Sequence, residues 1–184
     1  MNAPPPFRVL LSQDTILRRI RELASQITRD LGAEPPCLVA VIEGARTFAR
    51  HLQKYLPGTP PIHEIRASSY GDGTVSSGRV EVVGGADIRP AGRTVLLLED
   101  IVDTGRTIAR LREHFLAQGA RDCRVATLLT KPARRVVPVE LHYVGFEIPD
   151  EFVLGFGMDL AGRYRELTEV VIYEAEVEAA HRSR

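Results

Sequence analysis

Residues 95–107 read VLLLEDIVDTGRT. Four consecutive apolar residues meet two adjacent carboxylates, and then a segment rich in helix-opening residues. An unbroken apolar run over Thr94–Leu98 reads as a strand buried on both faces, which occurs where helices cover both sides of a largely parallel sheet. The turn that follows leads directly into a helical pattern from about Thr104 to Gln118, stopped by Gly119. A strand running into a helix through a polar turn is the repeating unit of an α/β fold.

The remainder of the chain repeats this alternation. Ile16, Leu17, Ile20, Leu23, Ala24, Ile27 and Leu31 recur at helical spacing, so a helix is predicted from near Asp14 to a stop at Gly32. Cys37–Ile42 reads as a second buried strand. Glu43-Gly44-Ala45 turns into a helix over about Arg46–Tyr55, ended by Pro57-Gly58 and Pro60-Pro61. Ile62–Ala67, Val80–Val83, Arg124–Leu129, Tyr143–Phe146 and Val170–Tyr173 are predicted strands, with Ile62–Ala67 and Val80–Val83 forming a long hairpin. Between these two lies SSYGDGTVSSG, residues 68–78, which has almost nothing to bury and is a functional lid or a disordered connection. In open sheets of this kind ligands bind beyond the carboxyl ends of the strands. That rule points to Glu43–Arg46, Glu99–Thr107 and Thr130–Lys131.

Composition narrows the function classes. The chain of 184 residues is long enough for one domain with a sizeable core. Its formal net charge is +0, so no global basic field argues for nucleic acid or a membrane surface. No apolar stretch approaches the ~18 residues of a membrane span. The N-terminus lacks the pattern of a secretory signal, which leaves a cytoplasmic enzyme or binding protein. Cys37 and Cys123 lie far apart in apolar runs and read as buried reduced thiols, not a disulfide or zinc site.

The chemistry concentrates in residues 99–107. Glu99 and Asp100 are neighbours on a strand, so their side chains face opposite ways and need not act on the same atom. Asp103-Thr104-Gly105-Arg106-Thr107 supplies free backbone N–H groups, two hydroxyls and a glycine at the positive end of a helix, a ready site for a phosphate group. The carboxylates would repel that phosphate unless they handle sugar hydroxyls or a Mg²⁺ ion. The plainer reading is that Asp103 or Thr104 merely caps the helix. A cap alone does not call for the acidic pair before it or for Gly105 and Thr107 after it. Neither a nucleotide P-loop nor a dinucleotide-binding fingerprint is present.

The whole stretch resembles the phosphoribosyl-pyrophosphate (PRPP) motif of type I phosphoribosyltransferases: apolar strand, two acidic residues, two aliphatics, D-T-G-x-T. Downstream, Lys131, then VGFEIPDEFVLGFGMD (144–159) and RYREL (163–167), look like the signature segments of hypoxanthine-guanine phosphoribosyltransferases. The resemblance covers about Leu38 to Tyr173. It implies one domain over 1–184, with an α/β core of about 37–147 in which helices flank a mainly parallel twisted sheet. A small hood would come from about 1–12 and 148–184, and a lid loop from about 68–79.

On the same resemblance, Glu99 and Asp100 bind the ribose hydroxyls and Mg²⁺, and Asp103–Thr107 wrap the 5-phosphate. Lys131 donates to the 6-oxo group of the purine, Phe152 stacks on the base, and the Val153 backbone reads its edge. Asp159 helps hold Mg²⁺, and Gly44, Ala45, Ser69, Tyr70 and Arg165 contact pyrophosphate. Asp103 is the general base, or stabilises positive charge developing on the purine. The lid would keep water from an oxocarbenium-like ribose centre. The implied substrates are PRPP and a 6-oxopurine, the products IMP or GMP and pyrophosphate, and the assembly a homodimer or homotetramer.

Each residue also has a plainer reading. Lys131 could be a surface charge, yet only two of the 24 basic residues are Lys, and an ammonium suits a single carbonyl better than the planar fork of Arg. Phe152 could be core. Asp159 and Arg165 could form a surface ion pair, and Asp150 and Glu151 read as solvated loop charges. One departure stands out: many relatives carry a basic residue before the glycine of the first turn, where this chain has Glu43. Either Arg46 compensates or Glu43 points away from the anion.

Two other function classes compete. A PRPP-fold regulator that binds nucleotide or RNA would want a basic face, and only Arg134-Arg135 clusters. The other is a phosphoribosyltransferase for xanthine, adenine or a pyrimidine; adenine is disfavoured by Lys131, because an exocyclic amine does not accept from ammonium. A xanthine-preferring enzyme stays open, since xanthine shares the 6-oxo group.

Overall fold

The computed structural model describes residues 7–32, 34–69 and 80–174. The predicted lid falls largely outside that range: Tyr70 and the rest of 70–79 are not described, nor is the side chain of Ser69.

Six strands form the main sheet in the order β4-β3-β2-β5-β6-β7. They are β2 (Cys37–Val41), β3 (Ile62–Ser69), β4 (Val80–Gly84), β5 (Thr94–Val102), β6 (Asp122–Thr130) and β7 (Tyr143–Glu147). Every neighbouring pair is parallel except β3 with β4, which form the predicted hairpin. Three helices pack on this sheet: α1 (Gln13–Leu31), α2 (Ala45–Gln53) and α3 (Arg106–Ala117). Among the described residues no helix is long and apolar enough to cross a membrane.

The apolar run in β5 shows why this sheet is covered on both sides. Leu96 and Leu98 pack with Ile16, Ile20 and Phe48 of α1 and α2. Val95 and Leu97 face the other way, onto Ile108, Leu111 and Phe115 of α3. All four strand residues are fully buried, and burying a side chain of this size is worth about 1.5–3 kcal/mol. Cys37 and Cys123 are buried and unpaired, and burial pushes the Cys123 thiol up to about 12.

Ser12 caps α1, its hydroxyl accepting from the Thr15 N–H, and Gly32 ends the helix at φ 69°. A second sheet joins the chain ends: β1 (Phe7–Leu11) pairs antiparallel with β9 (Val170–Tyr173), which pairs antiparallel with β8 (Val153–Leu154).

Two sequence expectations need correcting. Strand β5 does not stop at Leu98 but runs to Val102, because its ladder with β6 continues through Glu99 opposite Thr127 and Val102 opposite Thr130. The acidic pair therefore sits within the strand. Helix α3 starts at Arg106, two residues later than expected: the cap position is Gly105 at φ 80°, and the Thr104 hydroxyl accepts from the Arg106 N–H at 3.4 Å.

Candidate active site

The carboxyl ends of β2, β5 and β6 converge, as the topology requires. Among the described residues, two clefts there matter for the site. The smaller, about 250 Å³, is lined by Glu99, Asp103, Thr104, Gly105 and Thr107 with Val41, Ala67, Ile101, Val102 and Ile108. The larger, about 510 Å³, is lined by Glu43, Gly44, Asp100, Asp103, Lys131, Arg134, Phe152, Val153, Asp159 and Arg165 with Ile101 and Met158. Strand alternation sends Glu99 to one cleft and Asp100 to the other, while Asp103 borders both.

The smaller cleft suits a phosphate group. At the start of α3 the Arg106 N–H donates to the Thr104 hydroxyl at 3.4 Å, the cap position adds no side-chain bond, and the first turn carries no acidic residue. Gly105 is required on two counts. Its φ is 80°, and a Cβ there would crowd the Val137 carbonyl and the Arg135 stem. Arg135 donates to the carbonyls of Asp103 and Val102 and to the Thr130 hydroxyl at 2.9, 3.2 and 2.7 Å. The N–H groups of Val136 and Val137 both donate to the Thr104 carbonyl. The loop is thus clamped from the end of β6.

In the larger cleft Lys131 is only 6% exposed, which removes the surface-charge reading. Its Nζ lies 3.9 Å from Asp103 Oδ1 and 4.0 Å from Asp150 Oδ1, too far for a hydrogen bond to either. Asp103 Oδ1 is itself buried with no hydrogen-bond partner among the described residues. Phe152 is 50% exposed, so it is not core, and it stands beside Val153 on the cleft wall. Asp159 and Arg165 do pair, at 2.8 Å, but on the cleft wall rather than the outer surface.

The turn after β2 holds a cis Ile42-Glu43 peptide. A Cβ at Gly44 would overlap the Asp100 carboxylate, and one at Gly157 would overlap the Gly44 carbonyl. The segment bearing Asp159 and Arg165 therefore rests directly on this turn. Both alternatives for Glu43 are resolved at once. It lines the cleft, and it is neutralised there by Arg46 at 2.9 Å and Arg66 at 2.8 Å.

Two predicted site residues stand apart: Ala45 is buried at the start of α2, and the Arg106 side chain is exposed and lines neither cleft. One cleft residue that the sequence does not single out is Arg134, and Asp150 and Arg135 stand beside the clefts without lining either. Arg134 approaches Asp103 at 3.6 Å and Asp150 at 3.3 Å. Asp150 is a solvated loop charge as expected, its side chain 51% exposed and its Oδ1 4.0 Å from the Lys131 Nζ. Arg135 was read as half of a basic cluster and instead turns inward. The signal available was position alone, since 134 and 135 follow Lys131 by one helical turn.

Burial pushes the Glu99 carboxyl well above the usual carboxylate range, with the neighbouring Asp100 charge adding to it, and burial raises Asp100 as well. Among the described residues neither carboxylate is in an ion pair. A hard divalent cation bound through one or two carboxylates plus ligand oxygens fits this pair. Asp159 reaches the larger cleft, but its oxygens already accept from Arg165 and from the Gly162 N–H. No group of three or more acidic, His or Cys side chains able to hold an ion unaided occurs among the described residues.

A family model described as phosphoribosyl transferase domain matches residues 10–160. The chain is 40% identical over 170 residues to a hypoxanthine-guanine phosphoribosyltransferase of Streptococcus thermophilus, covering 92% of this chain and 94% of that one. The chain belongs to the hypoxanthine-guanine phosphoribosyltransferase family. Solved family members share its fold. A hypoxanthine phosphoribosyltransferase from Staphylococcus aureus superposes with a TM-score of 0.86 at 34% identity, over 92% of each chain. A hypoxanthine-guanine phosphoribosyltransferase from Bacillus anthracis, with HEPES in its active site, gives 0.82 at 36% identity over 90% of this chain and 95% of that one. The sheet order and the clamped D-T-G loop described above are therefore the type I phosphoribosyltransferase fold.

Proposed function

We propose that this enzyme transfers the 5-phosphoribosyl group of PRPP to hypoxanthine or guanine in purine salvage, releasing IMP or GMP and pyrophosphate. The observation that carries the base assignment is Lys131: a buried lysine with no hydrogen-bond acceptor in reach among the described residues, facing a cleft bounded by Asp103 and the half-exposed ring of Phe152. A 6-oxo group supplies the acceptor that the ammonium lacks. A base stacked on Phe152 with its 6-oxo group at Lys131 would lay its imidazole edge toward Asp103, with the Val153 backbone reading the opposite edge.

In the smaller cleft Thr104, Gly105 and Thr107 would hold the 5-phosphate, with Glu99 and Asp100 on the ribose hydroxyls. Gly44 and Arg165 would receive the pyrophosphate, and Ala45, Ser69 and Tyr70 are assigned to it on the resemblance alone. As one imidazole nitrogen attacks the ribose C1 and the bond to pyrophosphate breaks, Asp103 takes the proton from the other nitrogen or stabilises the charge that develops there. Glu99 and Asp100 would hold Mg²⁺ together with substrate oxygens, the ion serving to neutralise pyrophosphate, and Asp159 would join them only while keeping Arg165. The same reading gives one domain with a core of 37–147 and a hood from both ends, acting in the cytoplasm as a homodimer or homotetramer.

The test is turnover of the purified protein with PRPP and Mg²⁺. Hypoxanthine and guanine are expected to give IMP and GMP with one pyrophosphate per nucleotide. No nucleotide from either base overturns the proposal.

A further inference from the structure

Four side chains of alternating charge surround the turn after β2. Arg46 is fully committed. Its Nε and Nη2 donate to the two oxygens of Glu64 at 2.8 and 2.9 Å, and its Nη1 donates to Glu43 Oε2 at 2.9 Å. That leaves Glu43 Oε1, which accepts from Arg66 Nη2 at 2.8 Å. Arg66 differs from Arg46 in two ways. Its side chain is 62% exposed against 32%. Among the described residues, a single nitrogen of its guanidinium is engaged.

Glu43 lines the cleft beside Gly44 and Asp100, so a carboxylate stands where an anionic group must enter. An exposed ion pair of this kind contributes little to stability and exchanges partners readily. A phosphate group offers more charge and a bidentate match to the guanidinium fork, and so outcompetes one carboxylate oxygen. Arg46 cannot make this exchange without abandoning its paired bonds to Glu64. We infer that Arg66, which lines neither cleft but is held by the cleft-lining Glu43, is a pyrophosphate-contacting residue passed from that carboxylate to the pyrophosphate group when the anion binds. This rests on the phosphoribosyltransferase reading of the cleft. It also accounts for an acidic residue in an anion site: Glu43 orients Arg66 while the cleft is empty, and competes for it when pyrophosphate leaves.

The direction of two substitutions separates this role from a structural ion pair. Binding of inorganic pyrophosphate with Mg²⁺ is measured by titration calorimetry, and its competition with PRPP is checked in the same way. Arg66→Gln is expected to weaken binding about tenfold, equal to about 1.4 kcal/mol. Glu43→Gln is expected to tighten it several-fold, because it removes both the competitor and a repelling charge. Arg66→Lys recovers part of the loss. A merely structural pair predicts that both Gln variants loosen the turn and weaken binding alike. That outcome, or unchanged binding in Arg66→Gln, overturns the inference while leaving the enzyme reading intact. Wild-type protein that does not bind pyrophosphate in competition with PRPP overturns both.

Discussion

The ammonium of Lys131 lies 3.9 Å from Asp103 Oδ1, a buried oxygen without a hydrogen-bond partner among the described residues. Two unlike charges have been brought close without being allowed to bond. On the proposed reading a purine edge would satisfy both, one through its 6-oxo group and one through a ring N–H. Arg134, 3.6 Å from the other Asp103 oxygen, closes the outer side.

Asp103→Asn keeps the shape of this arrangement and removes its proton acceptor. The expected result is a fall in kcat of roughly 10- to 10⁴-fold, the range for a general base, with PRPP affinity moving far less. Single-turnover kinetics reads this directly, and an unchanged rate would remove Asp103 from the chemistry.

Gly157 has φ 104°, and a Cβ there would overlap the Gly44 carbonyl. Gly157→Ala should therefore destabilise the protein by about 1–3 kcal/mol, the usual cost of such backbone strain. It should also raise KM for PRPP, because the turn after β2, proposed to receive pyrophosphate, must shift. Thermal melting and PRPP kinetics that both match wild type would show that this contact yields freely.

His142 gives a pH signature. Its Nδ1 accepts the Val125 N–H at 3.2 Å, and burial, aided by Arg112 and Arg124, holds its pKa below the ordinary histidine value. A base depressed in the folded state contributes stability that is full above its unfolded pKa of about 6.5 and is lost as pH falls through the lower folded value. A His142→Asn variant should therefore be less stable than wild type at pH 8, with the gap closing toward pH 5. Denaturant titrations at both pH values measure it, and a gap that does not vary with pH would contradict the assignment.

Much of this site was legible because its residues are local. The apolar run of β5, the acidic pair and D-T-G-R-T are contiguous, and alternation alone sends Glu99 and Asp100 to different clefts. The two short strands β1 and β8 were not legible as strands. Phe7–Leu11 carries Arg8 and shows no clean alternation, Val153–Leu154 has two residues, and both exist because β9 pairs with them. The end of β5 is hidden for the same reason, since the ladder to β6 carries polar residues onward. Glu43 and Arg66 are 23 positions apart, and no local pattern joins them. Arg135 looked like surface charge because sequence does not say which way a side chain turns after a tight 3-10 turn (Pro132–Arg134).

The measurement that bears most directly on the account is a competition assay. PRPP and Mg²⁺ are supplied with hypoxanthine, guanine, xanthine and adenine together, and the nucleotides formed by wild-type and Lys131→Met enzymes are quantified. Loss of a charged donor to a neutral acceptor costs about 1.5–3 kcal/mol. This corresponds to roughly 10- to 150-fold in kcat/KM at about 1.4 kcal/mol per decade. The account predicts IMP and GMP as the wild-type products with adenine rejected, a loss of that size for hypoxanthine and guanine alike in Lys131→Met, and weakened rejection of adenine. Wild-type hypoxanthine kinetics and undiminished rejection of adenine in the variant would contradict the base-reading role of Lys131.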